Sequence, residues 1–224
     1  HMSAARYEPV KIIGRGAFAT CYLTFDKSLG CHAVLKKFTV PLAELSDKER
    51  AEAENEVAVL QKLTHDNVIR FMDAFVDDGV MNIVMEYADG GTLGGVIADA
   101  RSTGTHVPED KVWDWLVQAL HALRFVHQRR IVNRDLKPAN MLLTGPDRRV
   151  LKLADFGISK QLTTQHNMAA TMVGTPYFLA PEVCEGREYD AKCDVWGLGC
   201  ALYELMELRR AFYAPTFPAL VLQI

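Results

Sequence analysis

The first 87 residues alternate short apolar runs with turn residues, a pattern that predicts β-strands. Strands are expected at residues 7–13, 21–25, 31–38, 69–76 and 81–87. A helix is expected between the third and fourth strands, because Ala53, Val57 and Leu60 recur at helical spacing. Ser46 and Glu49 precede that run and match a capping box, which fixes the start of the helix.

After residue 91 the apolar positions take helical spacing. One face of a long helix starting near Pro108 collects five of them: Val112, Leu116, Ala119, Leu123 and Val126. Residues 195–205 are apolar almost all round, which predicts a buried helix. Short strands are expected at 140–143 and 151–153, and residues 101–106 have the Ser, Thr and Gly content of a loop.

This change of pattern predicts two domains of an α+β protein. Residues 6–87 form a small, mainly β domain, residues 88–91 a glycine-containing hinge, and residues 92–224 a mainly helical domain. Residues 1–5 are expected to be a tag remnant and a tail, since His1-Met2 resembles a cloning remnant. Clefts between domains often bind small ligands, so the hinge marks the region to search for chemistry.

Composition narrows the class of protein. The 224 residues are 49% hydrophobic and 24% charged with a net charge of -3, as in soluble globular proteins. No basic excess is present to bind nucleic acid, and no apolar run is long enough to span a membrane. The five cysteines form no CxxC pair, which favours free thiols in a cytoplasmic protein.

Two features of the β domain indicate phosphate binding. Gly14-x-Gly16-x-x-Ala19 lies between two strands, where glycines let a backbone approach phosphates, although a plain tight hairpin fits equally well. Lys36 interrupts an apolar strand, and Glu56 lies on the inward face of the following helix. An inward Lys36–Glu56 pair would hold the lysine against the α- and β-phosphates, whereas each residue alone is more often a surface charge.

The segment 133–140 carries the most specific pattern, Asn-Arg-Asp-Leu-Lys-Pro-Ala-Asn, and Asp155-Phe156-Gly157 follows it. Phosphoryl transfer requires positioning and charge neutralisation more than covalent chemistry. Asp135 is suited to accept a hydroxyl proton, and Asn140 and Asp155 offer the oxygen ligands that Mg²⁺ prefers. The agreement of spacing and residue type argues against chance.

In this order, these motifs resemble the eukaryotic protein-kinase family from Tyr7 to the last residue. Segments 173–182 and 194–199 are specific to that family. Lys137 after Asp135, together with Gly174-Thr175-Pro176, is similar to the serine/threonine branch. Within that branch, segments 55–60, 85–93 and 168–177 resemble NIMA-related kinases. The resemblance implies a bilobal fold, ATP and Mg²⁺ as cofactors, and serine or threonine of proteins as substrates.

The resemblance also assigns an adenine site. Met85 would be the gatekeeper, and the backbone of Glu86 and Ala88 would hydrogen-bond adenine. The apolar residues expected to enclose the ring are Ile13, Cys21, Val34 and Leu142.

Further roles near the catalytic aspartate follow from the same resemblance. Lys137 would stabilise the γ-phosphate, and Thr175 would steady Asp135 and Lys137 while shaping the substrate groove. Asp194 would brace the catalytic loop from the buried helix. Most loop threonines are unmodified, but the positions of Thr171 and Arg134 suggest a switch: a phosphate on Thr171, added by an upstream kinase or by trans-autophosphorylation, would pair with Arg134 and activate the enzyme.

Three residues depart from the family pattern, and two of them leave alternatives open. Asn133 replaces a histidine that stacks under Phe156 in a column with Leu60 and Phe71, so either its hydrogen bond is retained or the active state is looser. Cys21 replaces valine and is either a small hydrophobe or a thiol reachable from the ATP site. Ala19 replaces a glycine and should stiffen the loop.

The end of the chain also departs from the family. No arginine after Arg210 can pair with Glu182, so the helical domain is expected to lack its last helices.

Two rival functions remain at this point. A pseudokinase scaffold would bind nucleotide and partners without turnover, favoured by Ala19 and Asn133 and opposed by the retained polar motifs. A small-molecule kinase would not need the segment from Thr175 to Glu182. The family resemblance further predicts a cytoskeletal, centrosomal or flagellar location within the cytoplasm.

Overall fold

A computed structural model describes residues 4–16, 19–156 and 176–224. They fall into two compact units. The first contains residues up to 64 and residues 69–87, and the second contains residues 65–68, 88–156 and 176–224. The two units follow one another in the sequence at Tyr87 and Ala88. No helix in these described ranges is long and apolar enough to cross a membrane.

The first unit contains a five-stranded antiparallel sheet with the strand order β1-β2-β3-β5-β4. Its strands are β1 Tyr7–Arg15, β2 Ala19–Asp26, β3 Cys31–Pro41, β4 Phe71–Asp77 and β5 Val80–Glu86. All five predicted strands are confirmed, with ends shifted by up to three residues. The register places Lys36 of β3 opposite Cys21 and Ile83.

Helix α1 spans Asp47–Leu60, which confirms the predicted helix. The Ser46 carbonyl accepts the Arg50 N–H at 2.9 Å, so the helix begins where the sequence predicted it. Val57 belongs to a buried cluster with Ala19, Phe38 and Ile83, and Leu60 and Phe71 pack against it. The side chains of Glu49 and Glu56 lie outside the described part, as do those of Lys48, Glu52, Ala53 and Asn55.

A buried ionic network joins the start of the chain to the sheet. Arg6 donates two hydrogen bonds to the Asp26 carboxylate, at 2.8 and 2.7 Å. The Asp26 side chain is fully buried and also accepts the N–H groups of Ser28 and Leu29. The Arg6 hydrogen bonds therefore hold the pKa of Asp26 below its usual value, against the opposing effect of burial.

Most helices of the described chain lie in the second unit. Their bounds are α2 Leu93–Thr103, α3 Glu109–His127, α4 Pro181–Cys184, α5 Lys192–Glu207 and α6 Phe217–Val221. The short antiparallel strands β6 Met141–Thr144 and β7 Val150–Leu153 complete the unit. The long helix α3 and both short strands were predicted. Helix α5 is buried along one side, while Val195 on its other side is half exposed.

The loop predicted at residues 101–106 is wrong for its first three residues. Helix α2 continues to Thr103 and ends where Gly104 adopts a positive φ of 65°. Its buried residues recur at helical spacing: Leu93, Val96, Ile97 and Ala100. The Thr92 hydroxyl caps the other end by accepting the Gly95 N–H at 3.0 Å. Tertiary burial thus overrides the low helix propensity of Ser102 and Thr103.

Residues 65–68 belong to the second unit although they lie between α1 and β4 in the sequence. Asn67 explains this assignment. Its side-chain amide donates to Gln118 Oε1 at 2.8 Å and to the Leu151 carbonyl at 2.9 Å. Its carbonyl accepts the Leu153 N–H at 2.9 Å. One short segment is therefore bonded to both α3 and β7.

Candidate active site

Asp135 lies at the centre of a polar cluster in the loop between α3 and β6. The Lys137 ammonium donates to its Oδ2 at 2.8 Å, and the Asn140 amide donates to the same oxygen at 2.9 Å. The Asn140 amide also donates to the Asp135 carbonyl at 2.9 Å. The structure thus brings together three residues that the sequence selected. Asp135 and Lys137 are both about a quarter exposed, at 28% and 23% of their side-chain surface, so solutes can reach them.

Asp194, a buried residue of α5, holds this loop in place through hydrogen bonds. The Asp194 carboxylate accepts the backbone N–H groups of Asn133 and Arg134 at 2.8 and 2.9 Å. It also lies 2.8 Å from His127 Nε2 at the end of α3. These contacts fit the bracing role that the resemblance assigned to Asp194. His127 was missed in the sequence, where its position in the last turn of α3, just before the motif, was the available signal.

Asn133 is fully buried and uses both ends of its amide. Its Nδ2 donates to the Ala154 carbonyl at 3.1 Å, and its Oδ1 accepts the Asp135 N–H at 3.2 Å. The donated hydrogen bond of the first alternative is therefore present. The amide links the catalytic loop to the residue that precedes Asp155.

The predicted metal ligands differ in exposure. Asn140 is nearly buried, and both hydrogen bonds of its Nδ2 go to Asp135, which fixes the orientation of the amide. Asp155 is exposed and has a positive φ of 52°. One carboxylate and one amide oxygen suit Mg²⁺, which binds few protein ligands and completes its shell with phosphate oxygens and water. No group of three His, Cys, Asp or Glu side chains in the described ranges could hold a metal.

In the first unit, Lys36 is buried on the sheet, with only 8% of its surface exposed. Its ammonium lies 6.0 Å from the centre of the Phe38 ring. The partner predicted for it, Glu56, lies on α1, but its side chain is outside the described part. Burial rules out the alternative in which Lys36 is a solvated edge residue.

The glycine loop is described at both ends. A Cβ added to Gly14 would lie 3.8 Å from the Cys21 Cβ, and one added to Gly16 would lie 3.5 Å from the Ala19 carbonyl. Neither glycine has a positive φ, so no special turn requires glycine here. The effect of both glycines is the absence of a side chain above the backbone. Ala19 is buried in the core, which explains a side chain at that position.

The predicted adenine-site residues are divided between the two units: Ile13, Cys21, Val34, Met85 and Glu86 in the first, Ala88 and Leu142 in the second. Val34 and Met85 face each other across β3 and β5. The Glu86 N–H donates to the Arg70 carbonyl at 3.0 Å. That donor is therefore already occupied by a bond within the first unit.

Two predicted residues lie outside the described part of the chain: Thr171 and Thr175. Arg134, the expected partner of a phosphate on Thr171, is described. Its backbone has a positive φ of 66°, and its guanidinium carbon lies 5.7 Å from the centre of the Tyr189 ring.

Comparison with known proteins gives consistent matches over almost the whole chain. The model of the protein kinase domain matches residues 7–219. The chain is 43% identical over 223 residues to the serine/threonine-protein kinase nekl-2 of Caenorhabditis elegans, covering 97% of this chain and 62% of that protein. It is 42% identical to Nek8 of Danio rerio, covering 98% of this chain and 31% of the fish protein.

The chain therefore spans less than two thirds of these curated relatives. Among solved structures, it resembles Rad53 residues 1–466 in complex with AMP-PNP, with a TM-score of 0.79 and 28% identity. That match covers 97% of this chain and 53% of the Rad53 chain. The predicted similarity to NIMA-related kinases is thus confirmed by the names of the relatives, and the predicted fold by the structural match.

Proposed function

Since the chain belongs to the protein kinase domain family, we propose that it transfers the γ-phosphate of ATP to serine or threonine hydroxyls of proteins. One observation supports this function above the others: Asp135, Lys137 and Asn140 form one hydrogen-bonded cluster in the second unit. Family membership alone would not distinguish an active enzyme from a scaffold, whereas this cluster provides the required groups.

In the proposed reaction, the substrate hydroxyl oxygen attacks the γ-phosphorus of ATP. The bond from that phosphorus to the β,γ-bridging oxygen breaks, and ADP leaves with the electron pair. The hydroxyl proton passes to the Asp135 carboxylate, which acts as the general base. Lys137 lies 2.8 Å from Asp135 Oδ2 and would stabilise charge on the transferred group.

The residues described fit a magnesium ion. Asn140 and Asp155 would hold it through the amide Oδ1 and the carboxylate. The two Nδ2 hydrogen bonds of Asn140 support this assignment because they orient the amide oxygen away from Asp135. Mg²⁺ bound there would neutralise phosphate charge.

In the first unit, we assign Lys36 to the α- and β-phosphates and Glu56 as its partner. Burial of Lys36 supports this role, because a buried ammonium requires an anion. We assign adenine to the backbone of Glu86 and Ala88, with apolar contacts from Ile13, Cys21, Val34, Met85 and Leu142. The Rad53 neighbour was solved with AMP-PNP, which is consistent with nucleotide binding by the fold.

We further propose that phosphorylation of Thr171, by an upstream kinase or in trans by a second copy, activates the enzyme through Arg134. A phosphate adds about -1.5 to -2 charges, which arginine can capture. Full activity of a Thr171→Ala protein would contradict this regulation.

Transfer of radiolabelled phosphate from ATP to casein tests the proposed function. We expect the wild type to label casein, Asp135→Asn to lower kcat by about 10²–10⁴-fold, and Asp155→Ala to abolish labelling. Asp99→Asn, on the exposed face of α2, serves as the control and should keep wild-type activity. Equal labelling by wild type and Asp155→Ala would contradict the proposal.

The same assay separates the scaffold alternative, which predicts nucleotide binding without labelling. Asn133 favoured that alternative in the sequence, but its amide retains two hydrogen bonds here, which supports the enzyme. The cytoplasmic, cytoskeletal, centrosomal or flagellar location is a proposal from family resemblance, and imaging of a tagged full-length protein would test it.

A further inference from the structure

An arginine in the second unit lies on two tyrosine rings and forms no ion pair with a residue that the structure describes. The guanidinium carbon of Arg210 is 3.9 Å from the centre of the Tyr177 ring and 5.8 Å from that of Tyr213. The two rings stack with their centres 5.8 Å apart. We call Tyr177, Arg210 and Tyr213 the Arg210 cluster. Tyr213 is 61% exposed, so the cluster is open to solvent.

The charge of Arg210 is not balanced by any carboxylate that the structure describes. The preceding Arg209 pairs with Glu207 at 3.7 Å, whereas Arg210 forms no ion pair with a described residue. The undescribed segment 157–175 contains no Asp or Glu in its sequence. The side chains of Glu49, Glu52 and Glu56 lie outside the described part. Among the residues that the structure describes, Arg210 is therefore a cation without a carboxylate partner, available for an external anion.

The cluster holds Arg210 in a defined position. Arginine stacked on an aromatic ring retains its hydrogen-bond donors while it loses side-chain freedom, so a ligand need not order it. The Tyr213 N–H donates to Gln223 Oε1 at 3.2 Å, which fixes the backbone beside the ring. Tyr177 is in a short 3₁₀ turn at Pro176–Phe178.

Helix α5 connects the cluster to the catalytic loop. The Phe212 ring stacks on Trp196 with a centre-to-centre distance of 5.6 Å. This contact packs the segment 210–213 against the N-terminal half of α5. Trp196 lies between Asp194, which bonds the loop before Asp135, and Gly197, which touches Leu136. An extended peptide advances about 3.3 Å per residue, so five residues on either side of the phosphorylated residue sample about 16 Å in each direction.

We propose that the Arg210 cluster binds an acidic side chain of the protein substrate, near the phosphorylated serine or threonine. The anion is a carboxylate or a phosphate already present on the substrate, since arginine binds both in bidentate geometry. This inference rests on the proposed kinase function and specifies the class of substrate for it.

A peptide series tests the inference. Each peptide has one serine and, at one of the five positions on either side, Glu, Gln, Lys or phosphoserine. We expect one position at which Glu exceeds Gln in kcat/KM by about fivefold, the upper range for an exposed ion pair. A larger gain with phosphoserine than with Glu would identify a pre-phosphorylated substrate, and the reverse would identify an acidic one. Both results support the cluster.

Variants of the enzyme test whether Arg210 causes the preference for Glu over Gln. In Arg210→Ala the ratio of Glu to Gln peptides should fall to about one, and in Arg210→Glu the preference should change to Lys. Tyr213→Leu should reduce the ratio, while Tyr213→Phe, which keeps the ring, should preserve it. Arg209→Ala is the matched control and should retain both activity and ratio, because Arg209 is already paired and 69% exposed.

The experiment distinguishes failure of the proposed kinase function from failure of the inference about Arg210. A wild type that phosphorylates no peptide would overturn the proposed function and this inference with it. A wild type that phosphorylates all peptides without preference, or an Arg210→Ala protein that keeps the Glu preference, would overturn the inference alone.

Discussion

At the scale of single residues, Asn133 stands where the family pattern has a histidine, and its amide forms two hydrogen bonds there. It donates to the Ala154 carbonyl and accepts the Asp135 N–H, so one side chain orders both the catalytic loop and the segment that carries Asp155. The sequence left the donated bond as one of two alternatives. It did not predict the acceptor bond, because the local turn that brings the Asp135 N–H to Oδ1 is a property of the folded loop.

Substitution of Asn133 tests its contribution to stability and its contribution to activity. We expect Asn133→Ala to lower the free energy of unfolding by about 1–3 kcal/mol for each buried group left unpaired, and to lower kcat. Asn133→His should raise kcat or the occupancy of the active state, because the ring adds apolar surface. Urea denaturation and steady-state kinetics measure both effects. An Asn133→His protein that is equally or less active, with unchanged stability, would contradict this prediction.

The cysteines should differ in reactivity according to burial. Burial raises the pKa of Cys193 to about 12 and that of Cys200 to about 11, so few thiolates are available there. We expect iodoacetamide at pH 8 to label exposed Cys31 and to spare these two in the native protein. ATP should slow the labelling of half-buried Cys21 but not of Cys31, which is the internal control. Cys21 labelling that ATP does not slow would show that its thiol is not in the nucleotide site.

At the scale of elements, the strands and α3 were predictable because each carries its own periodicity. Helix α2 was not predicted, since Gly94, Gly95, Ser102 and Thr103 weaken its local signal and only burial reveals the helix. The pair of Arg101 and Glu204, at 2.7 Å, joins α2 to α5 across 103 positions of sequence. No local pattern can predict such a contact.

The close approach of α5 to the catalytic loop gives a prediction with a matched control. A Cβ on Gly197 would lie 2.9 Å from the Leu136 carbonyl, whereas one on Gly199 would meet nothing within 4 Å. Gly197→Ala should cost about 1–3 kcal/mol of stability and lower kcat by displacing the residue after Asp135. Gly199→Ala should stabilise the helix by about 0.5–1 kcal/mol and leave kcat unchanged. Similar effects of both substitutions in urea denaturation would contradict the packing argument.

At the scale of the whole molecule, pH dependence of stability should reflect the Arg6–Asp26 pair. The pKa of Asp26 is lowered in the folded protein, so its contribution is complete above the unfolded value of about 3.9 and is lost as pH falls through the folded value. Arg6→Met leaves a buried carboxylate without its cation and should cost about 3 kcal/mol at pH 7. That deficit should stay constant down to about pH 4 and shrink as the pH falls further to about 2.5, measured by urea denaturation.

Lys27→Met is the control, since its exposed pair with Glu8, at 3.3 Å, should contribute no more than about 1 kcal/mol. A deficit for Arg6→Met that is the same at both ends of this pH range would show that Asp26 is not the titrating group.

The bonds of Asn67 have a consequence for dissecting the protein. A fragment cut at Tyr87 would contain the whole five-stranded sheet and still expose an asparagine whose amide and carbonyl had lost Gln118, Leu151 and Leu153. Residues 65–68, between α1 and β4, belong to the helical unit. The sheet therefore cannot be separated from that unit by a single cut without loss of these bonds. Truncation at the obvious boundary should therefore yield a strand-rich piece that unfolds more readily than the same strands do in the intact chain.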